Sequence, residues 1–184
     1  ERGSVSLIGD NIAAGKLLVF SPAQPGLPRS VDSDGGRWLV TPERPDRGGH
    51  HLLAVTEERA GRRLTATTVW SFPANGEAPT RLLQSSRGGL EVLPRELPEH
   101  GGIREGETWD FSVRFDGQPL PHATLWLETE AGSRSRGVTD ERGIARLTFP
   151  RDFDPAAIDP KAGAARTRQG FVAAAEYDQG GTSH

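Results

Sequence analysis

Cysteine and methionine are both absent from the 184-residue chain. Without thiols there is no disulfide, no thiolate nucleophile, no iron–sulfur cluster and no thiolate zinc site. Lysine is nearly missing too: all of the 22 basic residues except Lys16 and Lys161 are arginine, which we read as coding bias and not as phosphate recognition. No apolar run reaches the ~18 residues that a membrane-spanning helix needs. A net charge of −3, mixed from both signs, gives no basic face for nucleic acid or an anionic membrane surface. Glu1 stands where an initiator methionine would, so we expect a longer precursor, with any signal peptide or membrane anchor in a segment not present here.

What the chain does have is glycine (23) and proline (14) against an apolar content of only 34%. That balance predicts an all-β chain of short strands and frequent turns. "VSLI" (5–8) and "LLVF" (17–20) read as strands, and "SPAQPGLP" (21–28) as a connector that cannot supply ladder donors. "RWLVTP" (37–42), "HHLLAVTEE" (50–58) and "LTATTVWSFP" (64–73) follow. The segment 57–63 between the last two reads as a hairpin loop whose glutamates and arginines pair. The pattern then dissolves over 74–90, although "RLLQS" could form one helical turn.

The second half alternates more cleanly. "ETWDFSVRFDG" (107–117) sets Trp109, Phe111, Val113 and Phe115 on one face and Thr108, Asp110, Ser112 and Arg114 on the other. "ATLWLETE" (123–130) sets Ala123, Leu125 and Leu127 against Thr124, Trp126 and Glu128. Asp140-Glu-Arg-Gly143 supplies turn chemistry, with Gly143 suited to positive φ. The stretch 152–169 reads as a long irregular connector and "GFVAAAEY" (170–177) as a further strand. We therefore expect two small β-sandwich-like domains: 1–75, a linker at 76–87, and 88–184, the last of them continuing past His184.

"GQPLPHATLWLETEAGSRSRGVTDERGIARLTF" resembles the prealbumin-like, or carboxypeptidase-regulatory-like, β-sandwich of secreted and periplasmic proteins. Over a longer span, "LEVLPRELPEHGGIREGETWDFSVRFDGQPLPHATLWLE" is similar to a periplasmic domain family of unknown function. That family is associated with accessory subunits of nickel/cobalt energy-coupling-factor transporters. The resemblance covers 90–177 well and 5–73 in outline. It implies a prealbumin-like second domain and a non-enzymatic accessory or binding module in the periplasm. Such a module would dock on a membrane transporter or receptor and support transition-metal uptake. The alternative is a structural interaction subunit of a larger envelope complex with no metal role.

Of the five histidines, His50, His51 and His122 are the candidate metal ligands, since neutral imidazole suits nickel, cobalt, copper or zinc. Consecutive strand residues point to opposite faces, so only one of His50 and His51 would readily join a partner such as His122 or His100. The plainer reading is that the pair starts a strand and that His122 caps a turn. Asp32, Asp34 and Gly35 suggest a calcium loop, with Glu43 at the twelfth position, but Trp38-Leu39-Val40 reads as strand and Asp-Gly as a hairpin turn. No Gly-x-Ser-x-Gly elbow is present, and Tyr177, the only tyrosine, cannot supply the two tyrosine ligands of intradiol dioxygenases. We expect no catalytic role. Of the four tryptophans, Trp126 is out of phase with Leu125 and Leu127, and it marks the candidate interface.

Overall fold

The computed structural model describes residues 4–9, 11–41, 49–72, 80–97, 103–152, 170–179 and 182–183. Residues 153–169 of the expected 152–169 connector, the linker residues 76–79, Glu43, His100 and His184 lie outside them. The described residues form an all-β chain with one short helix and several small, mainly antiparallel sheets. In chain order the elements are β1 (Val5–Ile8), β2 (Lys16–Phe20), β3 (Arg29–Asp32), β4 (Arg37–Val40), β5 (Gly49–Arg59), β6 (Arg62–Phe72) and α1 (Thr80–Gln84). They continue with β7 (Leu90–Pro94), β8 (Thr108–Phe115), β9 (Gln118–Pro119), β10 (Thr124–Thr129), β11 (Arg134–Val138) and β12 (Ile144–Thr148). The last three are β13 (Phe171–Ala175), β14 (Asp178–Gln179) and β15 (Thr182–Ser183). Contacts divide the chain into two compact units: Glu1–Glu91 with Arg114–Gln118 and Tyr177–His184, and Val92–Val113 with Pro119–Glu176.

The first unit is organised by the long hairpin β5–β6, paired along its full length from Gly49↔Phe72 to Arg59↔Arg62. Its two-residue turn puts Ala60 at φ 51° and Gly61 at φ 74°, the left-handed pair that matches strand twist in a tight hairpin. Glu58 and Arg63 pair across the strands at 2.9 Å, whereas Glu57 and Arg59 pair along one strand at 2.8 Å. The six-stranded sheet runs β14-β15-β6-β5-β2-β3, and β1 pairs with β4 as a separate two-stranded sheet. Val5, Trp38 and Val40 from that small sheet pack with Leu17, Val19, Leu53 and Val55. Each such side chain, fully buried, contributes about 1.5–3 kcal/mol. Leu52 and Ala54, of opposite phase in β5, are buried as well. This explains why "HLLAV" is a continuous apolar run and not an alternating one.

The Asp-rich stretch resolves as a turn. Asp32 ends β3, and Asp34 bridges to Arg37 around Gly35 (φ 55°) and Gly36 (φ 80°). The helical turn α1 buries Leu82 and Leu83. Arginines satisfy its last carbonyls: Arg114 donates to the oxygens of Leu83, Gln84 and Ser85 (3.2, 2.7 and 3.3 Å), and Arg87 to that of Leu82 (2.8 Å). The same two guanidinium groups converge on Glu91, Arg87 at 2.6 Å and Arg114 at 3.5 Å, with the Glu91 side chain only 2% exposed. Arg87 also lies 5.6 Å over the Phe20 ring. Burial pushes the Arg87 pKa down, Glu91 opposes that shift, and Arg114 adds to it.

In the second unit, β12-β8-β7 with β9 on β8 forms one sheet and β11-β10-β13 another. Phe111 and Val113 of β8, Leu125 and Leu127 of β10, and Ala145 and Leu147 of β12 are all buried. Trp109 and Phe115, expected on the same face as Phe111, are only half-buried, because they lie toward the strand's ends. A Cβ at Gly137 in β11 would sit 3.1 Å from the Leu147 side chain, so the absence of a side chain there permits the close approach of β11 to β12.

Candidate functional site

His50 and His51 open β5, opposite Ser71 and Trp70 of β6. Being consecutive strand residues, they direct their imidazoles to opposite faces. His51 is 3% exposed, and its Nδ1 lies 3.3 Å from the Gly49 carbonyl oxygen. His50 is half-buried, with Nδ1 sealed from solvent and without a hydrogen-bond partner among the described residues. His122 belongs to the other unit. It is exposed, at φ 58°, with its N–H donating to the Thr139 carbonyl (3.1 Å) and Nε2 3.2 Å from Glu141 Oε1. Among the described residues no group of three or more His, Asp or Glu side chains gathers where a metal could be held.

His122 owes its backbone to a clamp made by Thr139. The buried Thr139 hydroxyl donates to the Leu120 carbonyl (2.7 Å) and accepts from the Ala123 N–H (2.8 Å). The Pro119–Ala123 approach is thereby tied to the start of the next turn. In that turn Asp140 Oδ1 accepts from the N–H groups of Ile144 and Arg142, both at 2.9 Å. These bonds, Ile144 first, hold the Asp140 carboxyl below its ordinary 3.8. Asp152 is depressed likewise by the hydroxyls of Ser133 and Thr129. Because the folded values lie below the unfolded ones, this stabilisation is complete above about pH 4 and disappears as pH falls through the folded pKa values. Urea midpoints should therefore drop on going from pH 5 to pH 2, and Asp140→Asn should flatten that pH dependence relative to the wild type.

An open cleft of about 580 Å³ in the second unit is lined by Arg95, Glu96, Thr108, Trp109, Asp110 and Arg146. Arg146 Nε lies 2.9 Å from Asp110 Oδ1, and the Thr108 and Thr148 hydroxyls bond to each other at 2.9 Å. The Trp109 indole donates to Glu107 Oε2 (3.1 Å). Among the lining side chains, Arg146 and Asp110 satisfy each other, while Thr108 and Trp109 bond to residues beside the cleft.

Trp126 sits half-buried in the middle of β10. Its direct cross-strand neighbours are Arg136 of β11 and Ala174 of β13. Val138 and Val172 occupy the diagonal positions on those two strands, 55% and 65% exposed. An apolar line thus crosses the sheet's outer face, with Arg134, Arg136 and Glu128 beside it. Alternation in the sequence pointed to Trp126; the diagonal valines required the register. No family model and no curated protein matches the chain.

Proposed function

We propose that this chain is a non-enzymatic periplasmic docking module of two small β-sandwich-like domains, the second prealbumin-like. In this reading it attaches to a membrane transporter or another cell-envelope complex. The observation that carries the reading is the diagonal Val138–Trp126–Val172 on the outer face of the β11-β10-β13 sheet. An aromatic centre between exposed aliphatics, with charged side chains at the rim, has the anatomy of a contact patch. The periplasmic setting and the transporter come from the sequence resemblance.

The patch is tested by placing a photoreactive residue at Val138 or Val172 in the native host and identifying what it cross-links. We expect one discrete envelope protein at both positions, lost when Trp126→Ala is added. Absence of any discrete adduct at either position would refute the docking face.

A metal-uptake role is the second reading, favoured by the sealed Nδ1 of His50, which has no hydrogen-bond partner among the described residues. His50, His51 and His122 are its candidate ligands, and nickel, cobalt, copper and zinc the candidate ions. Calorimetric titration of each ion into wild type and the His50→Ala/His51→Ala variant decides it. Micromolar binding lost in the variant supports uptake; no binding in either leaves docking alone.

A further inference from the structure

We propose that Asp34, at the turn between β3 and β4, is a site of spontaneous isoaspartate formation. The chain contains two Asp-Gly pairs, Asp34-Gly35 and Asp116-Gly117. Glycine has no side chain to hinder its own nitrogen, so in this dipeptide the main chain can attack the preceding carboxyl group. Attack within one chain carries a large proximity advantage over any reaction between molecules. Both pairs sit at two-residue turns with left-handed backbone: Gly35 (φ 55°) and Gly36 (φ 80°) in one, Asp116 (φ 48°) and Gly117 (φ 79°) in the other. Tight hairpins favour such residues. The two sites differ in how firmly each is held.

At Asp116 the reacting groups are fixed. Its Oδ1 accepts from the Gly89 N–H (2.7 Å), and its own N–H donates to the Gly89 carbonyl (3.0 Å). A Cβ at Gly117 would lie 2.9 Å from Ser86 Oγ, so that turn is packed against its neighbours. Asp34 is exposed, and among the described residues no hydrogen bond holds its carboxyl group. A Cβ at Gly35 or Gly36 would meet nothing within 4 Å. The turn closes by the Asp34 N–H donating to the Arg37 carbonyl (2.8 Å) and the Arg37 N–H to the Asp34 carbonyl (3.0 Å). Neither bond uses the Asp34 carboxyl group or the Gly35 nitrogen. Beyond this single bridge β3 and β4 belong to different sheets, so no ladder runs on from the turn to hold it shut. Such a turn opens locally at little cost.

The Gly35 nitrogen attacks the Asp34 side-chain carbonyl carbon. A C–N bond forms, a C–O bond breaks, and the carboxyl O–H leaves with the amide proton as water. The product is a cyclic succinimide. Water then opens the ring at one of its two carbonyls, so water lost is balanced by water gained and nothing is oxidised or reduced. Opening at the side-chain carbonyl restores aspartate. Opening at the main-chain carbonyl leaves isoaspartate, in which the chain runs through the former side chain and gains a methylene. That methylene displaces the Asp34↔Arg37 bridge at the entry to β4, the strand that carries the buried Trp38 and Val40. The site lies in the first unit and is independent of the Trp126 face.

Peptide mapping of the whole chain, aged for weeks at neutral pH both native and in urea, tests the proposal. Isoaspartyl and aspartyl peptides have equal mass, separate on a column and fragment differently at the extra main-chain methylene. In the native chain isoaspartate should form in the tryptic peptide 30–37 at least about tenfold faster than at Asp116, where a hydrogen bond to the carboxyl group must break first. In urea the two sites should react alike, because the fold makes the difference. Mapping by peptide also keeps Asn75-Gly76, which reaches the same product by losing ammonia, out of the count. Asp34→Glu, which would have to close a larger ring, should remove the signal and leave the circular dichroism spectrum unchanged. Equal rates at Asp34 and Asp116 in the native chain, or no isoaspartate at Asp34 there, overturn the proposal.

Discussion

Glu91→Gln is expected to destabilise the fold by about 3–5 kcal/mol, the usual consequence of leaving a buried charge without its partner. Glu91 lies between Arg87 and Arg114, all three largely removed from water. Glutamine preserves the volume but leaves two adjacent guanidinium groups with no counter-charge. Neither arginine can relax outward at low cost, because both also hold carbonyl oxygens at the end of α1. The exposed pair Glu58–Arg63 is the control: Glu58→Gln should change stability by less than about 1 kcal/mol. Arg87→Met and Glu91→Met should be non-additive, the double variant losing less than the sum of the singles. Urea unfolding followed by circular dichroism measures all of these. An effect of Glu91→Gln as small as that of Glu58→Gln would mean that water reaches the cluster.

The sequence announced the strands and hid this cluster, for a physical reason. Period-two alternation survives wherever one face of a strand is buried, as at Leu125 and Leu127, so β10 was legible from its own residues. The ion cluster is assembled from a loop, β7 and β8, and no local pattern distinguishes Arg87 or Arg114 from the other arginines of an arginine-rich chain. β3 went unread because "RSVD" sits between a proline-rich connector and an Asp-Gly turn, and only pairing with β2 makes it a strand. The His50-His51 doublet was legible as a strand start, and the opposed directions of its imidazoles followed from the same rule. What became of each ring did not follow: the burial of His51 is not written in the residues beside it.

The same contrast governs the Trp126 face. Trp126 drew notice because it breaks the apolar phase of β10, yet it is the register with β11 and β13 that turns one ring into a continuous apolar diagonal. A sequence thus specifies which residues are apolar more directly than which of them stay in contact with water.

Gly143→Ala is the sharper test of the second unit, with an expected loss of about 3–5 kcal/mol from left-handed backbone strain and overpacking together. Gly143 has φ 69°, and a Cβ there would meet the Val113 oxygen at 2.6 Å, the Leu120 nitrogen at 2.9 Å and Pro119 Cα at 3.1 Å. All three are main-chain atoms, so none can swing aside as a side-chain tip would. They are also committed: the Val113 N–H donates to the Gly143 carbonyl, and the Leu120 N–H to the Val113 carbonyl. Moving them breaks the seam between β8 and the Pro119–Ala123 approach that Thr139 clamps. Gly132 isolates the conformational part, having φ 86° with nothing within 4 Å of its Cβ position. Gly132→Ala should cost only about 1–2 kcal/mol. The difference between the two variants in urea unfolding measures the crowding at position 143. Equal losses would place Gly143 in an ordinary turn and remove the physical reason for a glycine in "TDERG".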